Sequence, residues 1–161
     1  MQNTLTGNKD VDERLILSLD YQNAQNICNT NFYASQLCKN SIILQHKIKQ
    51  AHHNANKIIN LTQEKELILE TDPYYTFEEL EEILNFLEIS YGPFHGYEGL
   101  VSDIKITPVQ DTITVEYYIV DIVAGRTGIS VAGYFIDDFH INLTEQQLKE
   151  FLFIMYYNQI L

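Results

Sequence analysis

Thr112-Ile113-Thr114-Val115-Glu116-Tyr117-Tyr118-Ile119-Val120-Asp121-Ile122-Val123 is the stretch whose reading decides the fold class. Its density of β-branched and aromatic side chains predicts a strand. After it, Ala124-Gly125-Arg126-Thr127-Gly128 reads as a hairpin loop, so a return strand is expected over 129–136. Before it, Pro108-Val109-Gln110-Asp111 turns the chain, and residues 100–107 alternate through Ile104 and Ile106. Three strands in an antiparallel meander follow from these signals.

Farther upstream, residues 66–71 form a short strand candidate ended by Asp72-Pro73. Thr76 and Glu79 have the spacing of a capping box and open a helix over 76–89, with Phe77, Leu80, Leu84 and Leu87 on its apolar face. Downstream, Thr144 and Gln147 form a second box before a helix carrying Leu148, Phe151, Leu152 and Met155. The order is β-α-β-β-β-α, an α+β unit with its helices laid on one face of the meander.

The first 60 residues have a different period. Val11, Leu15 and Leu19 recur every four positions beside Ile16 and predict one amphipathic helix. A second short helix turns Ala24, Ile27 and Cys28 inward. A third does so with Tyr33, Leu37 and Cys38, with Asn31 as its N-cap. A fourth, over 41–60, carries Leu44, Ile48, Ala51, Ala55 and Ile58 at spacings of four and three. The charge changes sign with the period: residues 1–60 carry +2 and residues 61–161 carry −14. Two parts are expected, a helical module over 1–60 and an acidic α+β domain over 61–161.

A chain of 161 residues that is 45% hydrophobic and 20% charged has the composition of a packed protein. Its net charge of −12 argues against nucleic-acid binding by counterion release and against adhesion to an anionic membrane. The longest nearly unbroken apolar run, 151–157, falls far short of the roughly 20 residues that span a bilayer. No basic start followed by an apolar core marks a signal peptide. Two cysteines are too few for a disulfide scaffold, so reduced thiols and a cytoplasmic location are expected.

Groups that could carry chemistry are few. Cys28, Cys38, His46 and His52 or His53 lack the paired spacing of a zinc site, and no metal or other cofactor is expected. Asp137-Asp138 with His140 is the most enzyme-like group, because a carboxylate can orient an imidazole as a general base. No nucleophile motif accompanies it, so it is read as a turn between Ile136 and Ile141, and the protein is not expected to be an enzyme. His95 lies in the glycine-rich Gly92-Pro93-Phe94-His95-Gly96-Tyr97, which lacks the lysine of a phosphate loop. Arg126 stands at the hairpin tip, where backbone N–H groups could hold an anion. Glu78, Glu81 and Glu82 crowd one helix and suit a basic partner, and Tyr97 is an aromatic of the kind enriched at interfaces.

Leu15-Ile16-Leu17-Ser18-Leu19-Asp20, followed by the segment through Leu44, resembles an F-box. Ile27-Cys28, Thr30-Asn31 and Leu37-Cys38 are similar to the variant found in F-box-like proteins of large DNA viruses. Asn23-Ala24 replaces the usual Asp-Leu, and Ile43-Leu44 stands where Leu-Trp usually closes the box. The resemblance, over about 10–48, implies a three-helix unit that docks on the Skp-type adaptor of an SCF ubiquitin ligase. Leu15, Ile16, Leu19, Asp20, Ile27 and Leu44 would face or organise that adaptor. The expected function is then protein–protein interaction: the helical module recruits the adaptor and the acidic part selects a basic target, in the host cytoplasm if the protein is viral. The alternative is a single-domain acidic binding or inhibitor protein of the immunity type with no ubiquitin link. A small enzyme using Asp138 and His140 is the third reading.

Overall fold

The computed structural model describes residues 5–62, 67–89, 99–109, 112–125 and 128–161, with side-chain surroundings for 5–61, 78–89 and 143–161 and for four positions in 67–76. In chain order the described elements are α1 (Lys9–Ser18), α2 (Tyr21–Cys28), α3 (Phe32–Asn40), α4 (Ile42–Thr62), β1 (Leu67–Thr76), α5 (Phe77–Phe86), β2 (Gly99–Val109), β3 (Thr112–Gly125), β4 (Gly128–Leu143) and α6 (Glu145–Tyr157).

Each short helix begins on a side-chain cap, which satisfies N–H groups that the helix itself leaves free. Asn8 accepts from Asp10 and Val11, Asp20 from Asn23, Asn31 from Ala34, and Thr76 from Glu79. At α6 the capping box is complete, with Thr144 and Gln147 each accepting the other's backbone N–H. Two helices close through a non-glycine residue in the left-handed region: Glu88 at φ 56° and Gln159 at φ 57°. The N–H groups that follow, on Ile89 and Ile160, reach back to the carbonyls of Leu84 and Met155.

The expected α+β class, built on a β-α-β-β-β-α unit with an antiparallel meander, is corrected. Among residues with described side chains 75% are helical. The physical reason is where burial falls. Among the residues with described side chains, the core comes from α1 to α6 together with Tyr75 and Leu143 of the strand segments, with Leu67 and Leu69 packed alongside. β-branched alternation reports backbone extension, and it does not report which elements supply the core. At the backbone level the strands pair antiparallel in the order β1-β2-β3-β4.

Strand limits also differ from the sequence expectations. β1 continues through Pro73, with a register irregularity between Glu70 and Tyr75, because an edge strand tolerates a residue without an N–H. β4 runs to Leu143 instead of ending at Ile136. Asp137, Asp138 and His140 therefore lie in a strand, opposite Ile119, Tyr118 and Glu116, and not in a turn.

α6 organises the described core. Leu148, Phe151, Leu152, Phe153, Ile154, Met155 and Tyr157 are all buried, so the helix is apolar around most of its circumference and needs cover on several sides. Its main partner is α4. One hydrophobic cluster runs from Ile16 through Ala51 and Ala55 to Leu80, Leu84 and Tyr157, so the core crosses residue 60. Lys47 of α4 reaches into this junction. Its Nζ donates to the Leu17 carbonyl at 3.2 Å and lies 4.1 Å from the centre of the Tyr157 ring. Burial pushes the Lys47 pKa down.

The inward face of α1 is not the expected Val11–Leu15–Leu19 stripe. Val11 is 48% exposed, while Ile16 and Asp12 are buried. Asp12 turns inward because four donors meet it: the Thr6 N–H (2.7 Å), the Thr6 hydroxyl (2.8 Å), the Gly7 N–H (2.9 Å) and the Tyr33 hydroxyl (2.7 Å). Gly7 sits at φ 85°, a conformation that a side chain would strain. Burial alone would raise the Asp12 pKa, but the hydrogen bonds from Thr6, Tyr33 and Gly7 together outweigh it and hold the pKa below the ordinary value.

Cys28 and Cys38, expected as reduced thiols, form a disulfide with their Cα atoms 5.9 Å apart. The α2–α3 turn brings two residues ten positions apart side by side, which helix periodicity alone does not reveal. Among the described residues no helix is long and apolar enough to cross a membrane.

Two outcomes are expected. A depressed carboxylate pKa stabilises the fold above the unfolded value, about 4, and that contribution is lost as pH falls through the folded value. Thermal melts from pH 7 to pH 2.5 should therefore show a shallower acid loss for Asp12→Asn than for the parent protein. Opening the ten-residue Cys28–Cys38 loop with a reductant should remove about 3 kcal/mol by the chain-entropy model. Calorimetry should then record a melting temperature lower by roughly 5–10 °C.

Candidate protein-binding site

The start of α2, the start of α5 and the end of α6 meet at one corner of the molecule. Asp20 caps α2, accepting the Asn23 N–H at 2.8 Å and the Asn23 side-chain amide at 3.1 Å. Asn158, just past α6, clamps the same end: its Oδ1 accepts the Tyr21 N–H at 2.8 Å, and its Nδ2 donates to Gln22 Oε1 at 3.2 Å. Thr76 starts α5 so that Glu79 and Glu82 are one turn apart on it. Asp20, Glu79 and Glu82 then line one cleft of about 330 Å³ with Gln22 and Asn158.

The electrostatics of this cleft are unfavourable without a cation. Glu82 has a raised pKa, first from partial burial and then from the charges of Glu78, Asp20 and Glu79. Asp20 also acts on Tyr157, whose pKa is pushed up to about 12 by burial first, then by Tyr21 and Asp20. Among the described residues no three His, Cys, Asp or Glu side chains are grouped as metal ligands. Carboxylates spread around a cleft suit an ammonium or guanidinium group, which accepts several separated oxygen partners.

Asp20 and Glu82, expected to serve different partners, are thus brought together. Of the six residues mapped by resemblance, Ile16 and Leu44 lie in the core, whereas Leu15, Leu19, Asp20 and Ile27 are half-buried. Glu78 is exposed beside Glu82, and Glu81 is half-buried. Tyr97, Arg126 and His95 lie outside the described residues.

The sequence reading missed a second surface. Phe32 is 80% exposed, Ile42 84% and Ile43 61%, large apolar side chains facing solvent in α3 and α4. On α4 the exposed residues Ile42, His46, Lys49 and His53 follow at spacings of four, three and four, which places them on one face. The available signal was phase: the buried seam Leu44–Ala51–Ala55–Ile58 leaves Ile42 and Ile43 off its line.

No family model matches the chain, and no curated protein or solved structure matches it either.

Glu82→Gln tests the charge strain directly. A carboxylate with a raised folded pKa weakens the fold above that pKa and ceases to do so as pH falls through it. The variant should melt higher than the parent protein at pH 7, and the difference should vanish by about pH 3.5.

Proposed function

We propose that the protein acts by binding other proteins, with the α1–α4 segment as an F-box-like docking module and the acidic cleft as the seat for a basic side chain of a target. The observation that carries this reading is the outward placement of Phe32, Ile42 and Ile43, because large apolar groups turned to solvent mark binding surfaces when they recur in one segment. The exposed Lys39, His46 and Lys49 near them in sequence favour a partner with an apolar centre and an acidic rim. A Skp-type adaptor is the partner we assign to that surface, and recruitment to a ubiquitin ligase follows from it. The buried Ile16 and Leu44 support such docking from inside, while the exposed parts of Leu15, Leu19 and Ile27 adjoin it in sequence.

The encounter is placed in the cytoplasm, of the host if the protein is viral. A second reading, an acidic binding or inhibitor protein without a ubiquitin link, is favoured by the single core that crosses residue 60.

Interferometry with purified Skp-type adaptor separates the two. The parent protein should bind it, and Ile42→Asp with Ile43→Asp should weaken binding at least tenfold, about 1.4 kcal/mol, without lowering the melting temperature. Absence of adaptor binding by the parent protein removes the ubiquitin reading. In that case an arginine-rich peptide that binds the parent protein but not Glu79→Lys with Glu82→Lys supports the second one.

A further inference from the structure

The docking role leaves the chemistry of Cys28 and Cys38 unused. Their bond closes a loop that contains Phe32, one of the exposed apolar groups of the docking surface. Cys28 ends α2 and Cys38 lies in the last turn of α3, so the bond sets how these two short helices lie against each other. Little else holds α3 so firmly. Besides Cys38 it buries Ala34 and Leu37 alone, and it touches α1, α2 and α4 sparsely. Among the described residues, the one side-chain hydrogen bond from its first turn to another helix runs from the Tyr33 hydroxyl to Asp12.

The rest of the apolar surface is held independently. Ser41, the buried residue between α3 and α4, donates its hydroxyl to Glu13 and accepts the Leu44 N–H at 3.1 Å. Ile42 and Ile43 therefore keep their place at the start of α4 whether or not the cysteines are joined. Phe32 depends on the pair. Two thiols also fit where the disulfide lies, because both cysteines are buried and a buried thiol packs as a small apolar group. Both redox forms are thus compatible with the α4–α6 packing, which lies outside the closed loop.

We propose that Cys28 and Cys38 form a reversible redox switch on the docking surface: the disulfide fixes Phe32 relative to Ile42 and Ile43, and the dithiol releases it. The switch rests on the docking role assigned to that surface and adds its regulation. The reductant is a thiol of the glutathione class. Its thiolate attacks one sulfur of the bond, giving a mixed disulfide and one free cysteine. A second reductant thiol then attacks the reductant sulfur of that mixed disulfide and frees the other cysteine. The protein gains two electrons and two protons as two thiols, and the two reductant thiols lose the same to become one disulfide. Exchange with that disulfide in the reverse direction restores the bond. Attack reaches Cys28 at the end of α2, where Asn29, Thr30 and Asn31 beside it are exposed. In the cytoplasm proposed for the encounter, the thiol pool keeps most cysteines reduced, so oxidation is what completes the surface.

Full-length protein is equilibrated in reduced and oxidised glutathione at a series of ratios. Maleimide mass labelling follows the thiols, hydrogen exchange follows α3, and interferometry follows the Skp-type adaptor. Labelling should record a two-thiol change with the same midpoint from either direction. Reduction should speed exchange over 29–40 at least tenfold, leave α4 and α6 protected, and weaken adaptor binding at least tenfold. Cys28→Ala with Cys38→Ala should match the reduced protein in every buffer; if that variant does not fold, the reduced parent protein carries the comparison. Loss of protection throughout the chain on reduction would make the bond a structural staple and overturn the switch. Exchange over 29–40 that ignores redox state, or equal adaptor affinity in both forms, would overturn it too. If neither form binds the adaptor, the docking role fails by itself, and the exchange result still decides whether the pair controls α3.

Discussion

A helix that is apolar around most of its circumference cannot rest on the surface of a protein. α6 is such a helix, with buried side chains at seven of its thirteen positions, and the described structure is arranged to cover it. α4 lies along one side, α5 along another, and the start of α2 is tied to its end by Asn158. Removing one buried ring such as Phe151 from such a core typically costs 3–5 kcal/mol, which is why its neighbours from both halves of the sequence are held together. Lys47 shows how closely they are held. Its charge answers the free carbonyl at the end of α1 while its position is fixed by the Tyr157 ring of α6.

Covering α6 has electrostatic consequences. The α2 and α5 starts are drawn to the same corner, and each start carries acid, because carboxylates cap helices and suit the positive end of the helix dipole. Asp20 is needed as a cap, and Glu79 and Glu82 follow from the first turns of α5. Their convergence raises the Glu82 pKa and leaves a cleft that favours a cation. The acidic character of this corner is thus a by-product of helix packing, and neither helix would show it alone.

Asp12 and a group of large apolar side chains show opposite placements relative to the core. Asp12 is buried and ionised because backbone and hydroxyl donors surround it, so it fastens residues 6 and 7 and α3 to α1. Phe32, Ile42 and Ile43 are the reverse case, apolar groups turned outward. The Cys28–Cys38 bond joins the ends of α2 and α3. A rigid frame with a few outward apolar groups is what a docking surface requires.

Three helix starts, those of α3, α5 and α6, were legible from local residues alone. Asn31, Thr76 and the Thr144–Gln147 box act on N–H groups within three residues, so no tertiary partner is needed to read them. The seams of α4 and α6 were legible for the same reason, since helical period is a local property. The rest depended on contacts far apart in the chain. Asp12 is buried because its donors sit in the preceding turn and in α3, which helical period does not report. Pro73 read as a strand end and lies within β1, because its place at the sheet edge is set by strand order. The cysteines read as unpaired because spacing does not report how a turn folds back. Strand-rich composition over 112–123 pointed to an α+β class, yet among the residues with described side chains the cover over α6 comes mainly from helices, and only the tertiary structure decides that.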